Sequence, residues 1–161
     1  MNKIYLCLFA AFIFSVSLSA KNKKTEDPKE KNISSLIENK KFTINVLSAL
    51  PLRGPYIHLT SNYYIKLHND STSIYLPYFG RAYSAPYGGG EGGIKATGKY
   101  TDYKEKFNNK KDKYTISFSI KNKEDKYDFN IDIFLSGTAN IYVQPQNKQS
   151  ISFNGEIENS K

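Results

Sequence analysis

The 161 residues include one cysteine, one methionine, two histidines, two arginines and no tryptophan. Each scarcity removes a class of chemistry. The cysteine, Cys7, lies inside the apolar run Ile4 to Phe14. Once that run is removed, the chain can form no disulfide, thiol nucleophile or zinc–thiolate site. A lipid-bearing cysteine belongs at the end of such a run, after small residues, so Cys7 is misplaced for a lipoprotein. His58 and His68 have no Cys, Asp or Glu at metal-ligand spacing. No Gly-x-Ser-x-Gly elbow is present. No metal and no cofactor is expected, and no catalytic residue can be named. Beyond Phe14 no stretch is apolar enough to span a membrane.

What is present begins with an export pattern. Lys3 supplies a positive start, Ile4 to Phe14 an apolar core, and Ser15, Ser17, Ser19 and Ala20 small residues. This predicts a signal peptide over residues 1–20, cleaved near Ala20, and places the protein in the periplasm or cell envelope. The formal charge of +8 falls to +7 when Lys3 leaves with that segment. Lysines are spread along the chain with Asp and Glu between them, and no basic helix or arginine tract forms. Nucleic acid is therefore not the expected partner. A solvated lysine-rich surface accounts for the charge.

Residues 21–41 read as a polar linker and a short amphipathic helix. Asp27 suits the cap, Pro28 the first turn and Glu30 the return contact, with Ile33, Leu36 and Ile37 at helical spacing. The helix is expected from Pro28 to about Lys40. From Phe42 the period becomes two. Tyr63, Ile65 and Leu67 alternate with polar residues, as do Thr72, Ile74 and Leu76; Tyr114 to Ile120; Tyr127 to Ile133; Ala139 to Val143; and Ile151 to Gly155. Weaker strands cover Gly93 to Tyr100 and Tyr103 to Phe107. Turn residues separate these segments. The pattern predicts one all-β domain over 42–158. Its antiparallel meander of about eight or nine strands curls into a barrel-like or strongly twisted sheet. Large inward residues such as Phe118, Phe129 and Phe153 favour a packed interior over an empty cup.

Leu76 to Gly93 is far longer than a hairpin needs. Gly88, Gly90 and Gly93 have dinucleotide-loop spacing, but Ile94 to Thr97 reads as a strand where a phosphate site needs a helix. Gly93 and Gly98-Lys99 mimic a phosphate loop, with Tyr100 where the metal-binding hydroxyl should stand. Both nucleotide readings fail. Asp125, Asp128 and Asp132 cluster in sequence, and the latter two point outward, where nothing shelters acid–base chemistry. The arginines are more telling, because lysine outnumbers arginine 21 to 2. Arg53 and Arg81 both sit among Gly and Pro in irregular segments. A guanidinium fork suits an anion or a loop carbonyl. Either the two arginines meet at one barrel end, or each braces its loop, with Glu91 or main-chain carbonyls as partner. Tyr78, Phe79, Tyr83 and Tyr87 form either an exposed platform or a lid folded over the barrel end.

The run Leu-Pro-Tyr-Phe-Gly-Arg-Ala-Tyr-Ser-Ala-Pro-Tyr, Leu76 to Tyr87, resembles a bacterial family known as domain of unknown function 4251. Pro51-Leu52-Arg53-Gly54, Leu59-Thr60-Ser61, Gly92-Gly93, Asp102-Tyr103, Gly137-Thr138-Ala139 and Gln149 to Gly155 fit in the same order. The resemblance covers roughly Phe42 to Ile157 and departs from the pattern at Lys148, where arginine is expected. It implies an exported envelope protein with no assigned activity, cofactor or catalytic residue. The expected role is a non-catalytic binding module that uses Arg53, Tyr78, Arg81, Tyr83, Tyr87 and Glu91. The partner is an envelope protein, a glycan or a small ligand. A lipocalin-like carrier of a small apolar or amphipathic ligand is the alternative, and a hydrolase-type envelope enzyme the third.

Overall fold

The computed structural model describes residues 28–83, 92–123 and 125–158. The expected signal peptide, the Asp27 cap, Tyr87, Gly88, Gly90 and Glu91 lie outside the described residues. One helix precedes nine strands: α1 (Pro28–Glu38), β1 (Lys41–Pro51), β2 (Ile57–His68), β3 (Ser71–Leu76), β4 (Ile94–Lys99), β5 (Thr101–Asn108), β6 (Lys113–Lys121), β7 (Lys126–Phe134), β8 (Thr138–Pro145) and β9 (Ile151–Ile157). The strands form one antiparallel sheet in the order β4-β3-β2-β1-β9-β8-β7-β6-β5. It curls into a nearly closed barrel.

Two meanders build the wall. One runs from β1 to β4 and the other from β5 to β9. They are joined where β1 pairs with β9, from Ile44 opposite Ile157 to Pro51 opposite Ile151. Gly155 faces Asn45 at this seam; a Cβ there would lie 2.4 Å from the Asn45 carbonyl oxygen, so the close approach requires glycine. On the far side, β4 continues into β5 through the single residue Tyr100. The chain thus passes from one sheet edge to the other, and the Asn122 amide donates to the Lys95 carbonyl across the gap at 2.8 Å.

The period-two segments bury the side chains that alternation selects. Ile65, Leu67, Ile74, Ile116, Phe118, Tyr127, Phe129, Ile131, Ile141 and Phe153 all enter the core. Phe118 and Phe129 stack with centroids 5.0 Å apart and planes 8° from parallel. Tyr63 packs against the core but stays half-buried, its ring 5.2 Å from that of Tyr75. Strand β5 is exposed on nearly every residue, which is why its alternation is weak in the sequence.

Strand direction sorts the connections into two ends. At one end lie α1, the β2–β3 turn, the β5–β6 turn and the β7–β8 turn. Helix α1 closes this end with Ile33 and Ile37, both fully buried. It stops at Glu38, two residues short of the expected Lys40, because Lys40 has a φ of 50° and turns the chain into β1. The opposite end gathers the β1–β2, β3–β4, β6–β7 and β8–β9 connections.

Candidate functional site

The loop end is held by polar contacts. After Leu76 the chain leaves β3, with Pro77 buried, and runs past the ends of β2 and β1 to the β8–β9 connection. There it forms a short antiparallel ribbon. Ala82 bridges Lys148. The Gln149 N–H donates to the Arg81 carbonyl at 3.0 Å, and the Tyr83 N–H to the Asn147 carbonyl at 2.8 Å. The Arg81 N–H donates to the Gln149 side-chain oxygen at 3.3 Å. Two segments 68 residues apart are thereby tied together at this end of the barrel.

Tyr78 pins this strap. Its hydroxyl lies 2.9 Å from the Gln149 carbonyl and 3.1 Å from that of Arg81, and its single proton serves one at a time. Burial pushes the phenol up from its ordinary value, so it remains a donor across the physiological range. The Lys148 ammonium sits 5.5 Å from the ring centroid. Gly80 completes the fit, because a Cβ there would fall 2.4 Å from the Tyr78 hydroxyl. The Tyr-Phe-Gly-Arg motif is therefore a turn wrapped around a phenol.

Asp125 is the residue that pattern reading missed. It is buried. Its carboxylate accepts from the main-chain N–H groups of Lys126 (2.9 Å), Gln146 (3.2 Å) and Asn147 (3.1 Å), and from the Asn147 amide (3.2 Å). Its own N–H donates to the Asn122 side chain at 2.8 Å. One carboxylate thus fixes both the β6–β7 turn and the connection that receives the strap. Its neighbours in sequence do differ as expected. Asp128 is exposed beside Lys126 at 3.3 Å. Asp132 lies half-buried on the outer wall, taking hydrogen bonds from Lys113 and from Thr115, the latter at 2.6 Å.

Of the residues singled out from the sequence, Arg53 and Arg81 emerge at the same end and are exposed. Arg81 is anchored through its main chain. Tyr78 is half-buried in the strap, whereas Tyr83 is 69% exposed. The same end exposes Leu50, Leu52, Tyr56 and Phe79. Five large apolar or aromatic side chains and both of the protein's arginines are thus exposed at one end. His58 and His68 stand exposed on β2, and among the described residues no three His, Cys, Asp or Glu side chains gather as a metal site. Gly93 is followed by β4, a strand, so no helix dipole faces a phosphate there.

The family model described as domain of unknown function (DUF4251) matches residues 24–157. A crystal structure of a DUF4251 family protein from Bacteroides eggerthii superposes with a TM-score of 0.61 at 16% identity, covering 80% of this chain and 86% of the other. At that identity the likeness concerns the fold. No curated protein matches the chain.

Proposed function

The chain belongs to the DUF4251 family, a domain of unknown function, and from that premise we propose that it is a non-catalytic interaction module of the cell envelope. The working surface is the loop end. Its partner is a protein that offers apolar side chains to Tyr83, Phe79, Leu52 and Tyr56 and carboxylates to Arg53 and Arg81. The observation that carries this reading is that exposed apolar and aromatic side chains emerge at the same end as the only two arginines, with the Arg81–Tyr83 segment fixed by hydrogen bonds. Protein surfaces seldom cluster large apolar groups without use, and interface cores favour Tyr, Phe and Arg. Fixed loops also lower the ordering entropy lost on association. The stacked Phe118 and Phe129 and the buried Tyr127 and Phe153 occupy the interior, which weighs against a carrier. Export through the N-terminal segment belongs to the same proposal.

The test is co-purification of the tagged full chain from its native cells, with mass spectrometry of bound proteins and small molecules. The same capture is run with Arg81→Ser/Tyr83→Ala. A protein recovered by the parent and lost by the variant, at equal thermal stability, is the expected result. Capture that is identical with the variant removes the loop end from consideration. Recovery of an apolar small molecule instead revives the carrier.

A further inference from the structure

The lysines that look dispersed along the chain are sorted by the fold. Residues 41–99 contain six Lys or Arg and two carboxylates, whereas residues 101–158 contain nine of each. The excess belongs to the β1–β4 half, and strand register arranges it. Three cross-strand rows face outward there. The first is Lys41–His68–Ser71–Lys99, the second Thr43–Lys66–Ser73–Thr97 and the third Asn45–Tyr64–Tyr75–Lys95. These twelve positions hold four lysines, a histidine, hydroxyls, an amide and two tyrosines. They hold no carboxylate and no aliphatic side chain. Two residues of strand separate successive rows, about 7 Å. Among the described residues, Asp70 in the β2–β3 turn stands 3.1 Å from Lys99, and Glu158, beyond β9, has its N–H bonded to the Thr43 carbonyl. On the opposite wall two lysines pair with aspartates on the same face, Lys113 with Asp132 and Lys126 with Asp128.

The β1–β4 wall is also grooved. A groove of about 300 Å³ is lined by Lys66, His68, Ser71, Ser73, Thr97 and Gly98. It shares Lys66 and His68 with a second groove of about 590 Å³ that reaches Lys41 and Glu158. Hydroxyl rows beside ammonium groups suit a ligand that is itself rich in hydroxyls and negatively charged. The tyrosines do not offer a stacking platform for bases. Tyr75 has Tyr63 at 5.2 Å and the Lys95 ammonium 5.4 Å from its centroid, and the Tyr64 hydroxyl points to Ser73 at 3.5 Å. Single-stranded nucleic acids rely on open aromatic faces, and lipid surfaces need protruding apolar groups. The three rows provide neither.

We propose that the outer wall of β1–β4 binds an acidic polysaccharide, with Lys66 and Lys95 contacting its carboxylate or sulfate groups and Ser73, Thr97 and Tyr64 its hydroxyls. This surface is distinct from the loop end and does not depend on the protein-partner reading. The full-chain protein is titrated with polygalacturonate and dextran sulfate, and with methyl-esterified polygalacturonate and plain dextran as uncharged counterparts. At least one charged glycan binds and neither neutral one does. Lys66→Gln/Lys95→Gln weakens binding about tenfold. Lys104→Gln/Lys106→Gln on β5 removes the same charge and changes it less than about twofold. Lys66→Arg/Lys95→Arg, which keeps the charge, retains binding and guards against a folding artefact. Absence of binding to both charged glycans overturns the proposal, as do equal losses in the two glutamine variants or loss in the arginine variant. Tighter binding of a charge-matched oligothymidylate transfers the wall to nucleic acid and equally overturns it.

Discussion

The two ends of the barrel are closed by opposite means. At the helix end, Ile33 and Ile37 enter the barrel and apolar burial does the closing. At the loop end, Tyr78, Asp125 and Gln149 tie one connection to another through oriented hydrogen bonds, while the apolar side chains remain outside. Burial is non-directional and adds to the core. Hydrogen-bonded loops contribute less net stability but fix geometry. The first end is thus suited to hold the molecule together, and the second to present a surface of fixed shape.

The strongest way to break this contrast is at the helix. Ile33→Ala is expected to cost about 2–4 kcal/mol, because a fully buried side chain leaves a cavity beneath α1. Chemical denaturation measures it; a loss under about 0.5 kcal/mol would mean that α1 only rests on the barrel. Asp125→Ala is next, at about 2–3 kcal/mol, since the part-buried N–H groups of Lys126 and Asn147 lose their acceptor together, while that of Gln146 keeps the Lys126 carbonyl. Amide exchange should speed at Gln146, Asn147 and Gln149 and remain slow in β6 and β7. Uniform acceleration would instead make Asp125 a global support. Tyr78→Phe is smallest, about 1 kcal/mol. It deletes only the bond to the strap carbonyls and is expected to mobilise residues 79–83 without loosening α1. Unchanged exchange there would leave the ring alone as the pin.

Much of the fold was legible because burial on a sheet has period two. Thr72, Ile74 and Leu76 declare their face locally, and so do Tyr127, Phe129 and Ile131. The helix was readable from Pro28, Glu30 and the Ile33–Ile37 spacing. The site was less legible, for a physical reason. Asp125 takes its meaning from Gln146 and Asn147, more than twenty residues away, and Tyr78 from Gln149, 71 residues away. Local alternation marks Asp128 and Asp132 as outward but says nothing of the partners of Asp125; only the register of β7 and β8 brings the β8–β9 connection to it. The basic wall was hidden in the same way. Lys41, Lys66, Lys95 and Lys99 are scattered in sequence until β1–β4 align them on one face.

The pairing of β1 with β9 has a consequence for how the chain acquires its shape. Strands β1 to β4 are consecutive hairpins and can associate as soon as they are made. Strand β1 nevertheless keeps one unsatisfied edge until residues 151–157 arrive, more than a hundred residues later. Contacts of such separation form late and slowly. During synthesis the half-built sheet therefore presents a long bare edge, alternately apolar on one face, to any other extended chain. Its hazards of misassembly are concentrated in the interval before the final strand is laid down.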